Sequence, residues 1–224
     1  MGFRDELRRQ ALDARARQDS GAQLQRRTVL LVEAAARELR QSLLELSSHL
    51  QVLQPAAPVR YRLDRQVVLD GLPRQDFRFD SRRASVLDED VLSHMHLSCS
   101  VRSGRAVQLG KDFVNEMEQL EARLAQAGIA YDREPVREAE SGRLLQMRYA
   151  FVADVELGLH VQCDHAQGLL RLRLHNLDGL ETIRCVLPPA DVDNARLDEL
   201  ARWWAGAPHR FLDGLPDLQR TEAR

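Results

Sequence analysis

His94 and His96 lie two residues apart in a stretch that alternates polar and apolar side chains, so in an extended strand both imidazoles leave the same face. His160 and His175 hold the polar parity of their own alternating stretches, and His165 follows in a turn. If these strands are neighbours, His94, His96, His160 and His175 converge on the exposed face of a sheet, the donor set that a zinc or iron site uses. Such a site usually adds a carboxylate at matching depth, for which Asp164 and Glu156 are the candidates without any fixed spacing. The plainer reading of the same residues is polar sheet surface.

Cys163, Asp164 and His165 carry the ingredients of a thiol nucleophile, but successive strand residues point to opposite faces, while catalytic partners must meet within hydrogen-bond reach. Cys163 continues the apolar parity of Leu157, Leu159 and Val161, so it reads as a buried, inert thiol. The acidic clusters at Asp88, Glu89 and Asp90 and at Glu138 and Glu140 have no calcium-loop spacing and read as solvated turns. Glycine-rich phosphate loops and the G-x-S-x-G elbow are absent, and no enzyme class is supported.

Seven arginines, Arg60, Arg62, Arg78, Arg148, Arg171, Arg173 and Arg184, take outward strand positions, which makes one sheet face locally basic. Single-stranded nucleic acid on a sheet also needs exposed aromatics for stacking, and here the aromatics sit on the inward parity. Asp64, Asp76, Asp80 and Glu156 interleave with the arginines and suggest cross-strand ion pairs. Trp203 and Trp204 are adjacent on a helix, about 100° apart, so both indoles are not expected to pack equally on one core. One is expected to be partly exposed, either covered by Phe211 and Leu212 of the tail or acting as a partner-binding anchor.

The elements that position these groups begin with a helix. Residues 3 to 53 contain no Pro and are rich in Ala, Leu, Arg, Glu and Gln. From position 29 an a/d heptad seam emerges: Val29, Ala36, Leu43 and Leu50 in one row and Val32, Leu39, Leu46 and Leu53 in the other. The flanking positions hold Thr28, Ala35, Ser42, Ser47 and His49 instead of paired charges, and Leu30, Leu31, Leu44 and Val52 widen the stripe. The seam is expected to bury itself on another helix or a sheet, of its own chain or of a second copy, which makes these eight residues the candidate self-association surface and a homodimer the expected state.

Pro55 and Pro58 end the helix, and beyond them the period drops to two. Val59 to Leu63, Phe77 to Phe79 and Met95 to Val101 read as half-buried strands, followed by a helix from about Lys111 to Ala127 stopped by Gly128. Four further strands are expected around Leu145 to Ala153, Leu157 to Cys163, Leu170 to Leu174 and Ile183 to Leu187. The dipeptides Ser141-Gly142 and Asp178-Gly179 supply turns, and a last helix, capped by Asp191 or Asp193, runs to about Ala205. This gives four segments: a coiled-coil-like helix over 1-54, a first sheet and helix half over 59-128, a second over 129-207, and a tail over 208-224. The two halves resemble each other enough to suggest a duplicated βββα unit.

Composition bounds the rest. With 44% hydrophobic and 29% charged residues over 224 positions, the chain has the profile of a soluble globular protein, and no run approaches the length that spans a bilayer. Three cysteines without C-x-x-C spacing read as reduced thiols, and the N-terminus lacks the pattern of a leader, so a cytoplasmic location is expected. A net charge of -2 gives no global pull toward nucleic acid, and the near-exclusive use of Arg over Lys points to a GC-rich bacterial genome. The sequence thus predicts an α+β protein, a long N-terminal helix followed by an antiparallel sheet with helices on one face. Its expected role is a non-catalytic cytoplasmic assembly or adaptor protein that binds itself and another protein, with no cofactor. The alternatives are a metal-dependent enzyme built on the histidines and a single-stranded nucleic-acid binder built on the arginines.

Overall fold

The computed structural model describes residues 3–223, with side chains from Gly21 onward. Helix α1 spans Phe3–Leu53, about 77 Å at 1.5 Å per residue. It closes where Gln54 adopts a left-handed φ of 43° ahead of Pro55. The proline-bounded segment is stitched into the body: Arg74 N donates to Pro55 O and Ala57 N to Leu72 O, each at 2.9 Å. A two-stranded ribbon of β1 (Tyr61–Arg62) and β2 (Val68–Leu69) precedes the main sheet.

That sheet is antiparallel throughout, in the order β3-β4-β6-β7-β8-β9, with β5 paired to the far half of β6. Its strands are β3 (Arg74–Val86), β4 (Glu89–Lys111), β5 (Tyr131–Arg137), β6 (Leu144–Asp164), β7 (Leu169–His175), β8 (Glu181–Leu187) and β9 (Gln219–Glu222). Helix α2 (Val114–Ala127) follows β4, and α3 (Asn194–Trp204) follows β8. The α+β architecture read from the sequence is the observed one.

Odd-numbered positions of β6 from Tyr149 to Cys163 are all buried, as are Met95, Leu97, Cys99 and Val101 of β4, and this inner face joins one core with α1, α2 and α3. The heptad seam of α1 meets the strands of its own chain: Val29, Val32, Ala36, Leu39, Leu43 and Leu50 are buried, and Gln51 Oε1 accepts from Phe77 N at 2.8 Å. Leu46 is partly buried against the core, and Leu53 is 71% exposed. Glu33, buried on α1, fixes the register. Its Oε2 accepts from Leu92 N at 2.8 Å, and its Oε1 accepts from Arg37 Nε at 2.8 Å and Arg83 Nη2 at 3.4 Å.

Several local expectations change. The two strands expected around Leu145 to Ala153 and Leu157 to Cys163 are the single strand β6, because the apolar parity runs unbroken through Val155. Lys111 belongs to β4 and not to α2, and it pairs with Asp64 at 2.7 Å. The two halves do not stand apart, since β4 of the first pairs along most of its length with β6 of the second. None of the described helices is long and apolar enough to cross a membrane.

Candidate functional site

The even-numbered positions of β6 and their cross-strand neighbours form the outer face of the sheet; the apolar sides of α1, α2 and α3 pack on the other side, and the C-terminal end of α2 reaches the outer row at His175 and Thr182 through Gln126. Strand pairing lines the outer residues up in rows. Asp80, His96, His160, Arg173 and Arg184 form one row across β3, β4, β6, β7 and β8; Arg78, Ser98, Gly158, His175 and Thr182 form the next. Gly158 leaves a gap in this lattice of side chains, where a Cβ would lie 3.1 Å from His96 Nε2. Around it opens a depression of about 440 Å³ whose outer wall includes Arg78, His96, His160 and Arg173.

The imidazole convergence expected from sequence occurs for three of the four histidines. The ring of His160 lies 5.4 Å from that of His94 and 6.3 Å from that of His96, centroid to centroid. Burial lowers the His160 pKa below its ordinary value, and His94, His96 and Arg173 add repulsion against its charged form, with Asp80 opposing. His175 is held elsewhere: its Nδ1 lies 3.1 Å from Gln126 Nε2 and 3.2 Å from Thr182 Oγ1. Burial lowers its pKa first, and Arg173 adds to the effect. Beside it Asn176, in a left-handed φ of 58°, donates from Nδ2 to Gln126 O at 2.8 Å and Glu156 O at 2.7 Å, tying α2 to the sheet. Among the described residues no three His, Cys, Asp or Glu side chains are arranged to hold a metal ion. The histidine set therefore gathers as a cluster of rings and not as a ligand set.

The thiols are equally unsuited to attack. Cys163 and Cys99 are buried, and burial pushes each up to about 12 and Cys185 up to about 11. His165, next to Cys163 in sequence, turns inward and donates from Nε2 to Leu92 O at 2.7 Å. The Thr182 hydroxyl beside His175 is only 8% exposed and is shared with Gln126, so it is not presented to a substrate.

The arginines stay outward as their parity requires. All seven are exposed, but the ion pairs differ from the expected interleaving. Asp76 pairs with Arg102 at 2.8 Å, Asp64 with Lys111, and Arg171 with Asp164 at 3.1 Å. Asp76 reaches the outer face because a bulge between Gln75 and Arg78 places two residues opposite Cys99. Among the described residues, Arg78, Arg173 and Arg184 have no carboxylate within ion-pair distance, so the depression keeps an excess of positive charge.

Trp203 and Trp204 are corrected as partner anchors. Both are buried, at 1% and 0% exposure. Trp203 stacks on His209 with centroids 4.4 Å apart, packs against Phe211 of the tail at 5.9 Å, and donates from Nε1 to Asp178 Oδ1 at 2.6 Å. Trp204 turns the other way and meets Phe77 edge-on at 6.2 Å. The angular separation of adjacent helix positions thus turns the two indoles toward different parts of one core, Trp204 to Phe77 of the sheet and Trp203 to Phe211 of the tail. Both carbonyls are capped by Arg74, wholly buried, whose Nη1 donates to Trp204 O at 2.8 Å and Trp203 O at 3.2 Å. No local signal in the sequence separates Arg74 from the surface arginines.

Comparison with family models, with curated proteins and with solved structures returned no match.

Proposed function

We propose that the protein is a non-catalytic binding protein, an adaptor, whose recognition surface is the outer face of the sheet around Gly158. The observation that carries this reading is the one-sided layering. Three helices bury their apolar sides on the inner face, and apart from the end of α2 at His175 and Thr182 the outer face carries an open depression lined by Arg78, Arg173 and clustered imidazoles. Polar groups converge on a concave surface, and among the described residues the Ser98 hydroxyl makes no hydrogen bond to the imidazoles of His96 or His160, which suits recognition better than bond-breaking.

The helix supplies the second half of the reading. Its seam is spent on the sheet of its own chain, but Gly21 to Arg27 are exposed without exception, and Leu24 and Leu31, seven residues apart, are 67% and 56% exposed. A helical stretch that gains nothing from tertiary packing is marginal in water, so this part of α1 is assigned to association with a second copy.

The test is site-specific photo-cross-linking in the expressing cell, with a benzoylphenylalanine at Ser98 or Gln162 of the outer face and at Glu118 of α2 as control. The expected result is an adduct with the same partner from both outer positions and none from Glu118. Equal adducts at all three positions, or none at Ser98 and Gln162, would overturn the assignment.

A further inference from the structure

A glycine in the interior of a long central strand costs backbone entropy and forgoes a side chain, and where it is kept it commonly marks close approach by a ligand or another backbone. Gly158 sits between β4 and β7, and its backbone φ is not left-handed, so conformation does not demand glycine there. The demand is space: a methyl group at this position would fill the floor of the depression and press on the His96 ring.

The charges around that floor are unbalanced. Arg78 lines it from β3 and Arg173 from β7, strands about 14 Å apart at 4.8 Å per strand spacing, so the two guanidinium groups flank the depression from opposite sides. His96 and His160 stand beside the floor and offer ring N–H donors, and Ser98 offers a hydroxyl. The carboxylate of Asp76 is already paired with Arg102, which leaves Glu156 as the negative group on the rim.

We propose that the Gly158 notch binds the phosphate group of a small phosphate monoester, with Arg78 and Arg173 as the charged arms and His96 and His160 as hydrogen-bond donors. This rests on the reading of the outer face as the recognition surface. Paired, planar guanidinium groups suit a tetrahedral dianion, and a depression of about 440 Å³ accommodates a metabolite-sized ester. A nucleic-acid strand fits less well: Phe77, Tyr149 and Phe151 are buried, which leaves the imidazoles of the depression without a Phe, Tyr or Trp beside them for successive bases to stack on. Glu156 and Asp80 also interrupt a continuous basic track.

The proposal carries a readout in His160. The titratable and charged groups facing it are His94 and His96 from β4, Arg173 from β7 and Asp80 from β3. A dianion in the notch favours the charged imidazole and raises the His160 pKa. Imidazole carbon–proton spectra of the full chain, titrated with glycerol phosphate, are expected to show saturable shifts of His96 and His160, with exposed His49 unchanged. Arg173→Gln, an exposed change, is expected to weaken binding at least tenfold with the unfolding midpoint unchanged, and Gly158→Ala, whose methyl group would displace the His96 ring, to weaken it as well.

No saturable shift, a shift of His49 in parallel, or an Arg173→Gln variant that binds as before would overturn the proposal. So would sulfate binding as tightly as the ester, which marks an adventitious oxyanion site, or oligothymidylate binding more tightly with a steep salt dependence, which marks a nucleic-acid face. Loss of ester binding while Ser98 still cross-links would remove the ligand class and leave the recognition surface standing.

Discussion

His160, His175 and His209 share one property despite different surroundings: burial holds each below the ordinary imidazole value of 6.5. An unfolded chain therefore binds more protons than the folded one once the pH falls below about 6.5. Their contribution to stability is fully present above that value and is lost as the pH drops from it toward the folded-state pKa values. The urea midpoint is expected to fall between pH 7.5 and pH 5.5, and His160→Gln is expected to shallow the fall. Comparing the two chains isolates the His160 share, because Glu181, raised by burial and so acting with the opposite sign, is common to both. A midpoint independent of pH across this range would contradict the assignment. The positions of these histidines were legible from parity alone. Their neighbours were not, because which ring meets which depends on strand pairing across 64 residues of chain between His96 and His160.

At the scale of elements, α1 shows what a heptad pattern does and does not specify. Residues spaced three and four apart make one stripe, and a stripe buries itself on any apolar surface of matching width. Here the surface is a sheet, and the small residues Ala35 and Ala36, 6% and 0% exposed, let the helix lie close to it. Leu39→Ala is expected to cost about 2–5 kcal/mol of unfolding free energy, as for a fully buried leucine. Leu53→Ala, in the same heptad row but 71% exposed, is expected to stay within about 0.5 kcal/mol. Equal costs from denaturant titration would mean that the seam does not end where the sheet does. A double substitution of Leu43→Asp with Leu46→Asp, buried and half-buried on this seam, accordingly disrupts folding of the single chain rather than association alone.

For the whole molecule, the decisive feature is asymmetry between the two faces of one sheet. Long strands carry a buried face and an outer one from Met95 to Val101 of β4 and from Tyr149 to Cys163 of β6, and an irregularity between Arg102 and Ala106 bends the pair midway. At that bend Asp154 Oδ1 accepts from Ser103 N at 2.9 Å and Gly104 N at 3.0 Å. Self-association, if carried by the exposed part of α1, leaves this open face free. Leu24→Glu with Leu31→Glu is expected to reduce the sedimenting mass from dimer to monomer and to remove the dependence of the unfolding midpoint on chain concentration, while the single chain stays folded because both side chains point away from the core. An unchanged mass in the folded double variant would remove α1 as the dimer contact.

The sequence by itself determined the α+β class, the helix that ends before Pro55, the parity of Met95 to Val101 and of Tyr149 to Cys163, and a capping aspartate ahead of α3 at position 191 or 193, of which the structure uses Asp193, whose Oδ1 accepts from Arg196 N at 2.7 Å. These follow from interactions within a few residues: helix propensity, the missing proline donor and a side-chain period of two. Tertiary structure alone decided that the seam of α1 is spent on its own sheet, that Trp203 and Trp204 both lie in the core, that Arg74 caps their helix and that Gly158 opens the floor between His96, His160 and Arg173. Each of those joins residues far apart in the chain, and no local pattern records which apolar surface a stripe meets or which side chain stands across a strand.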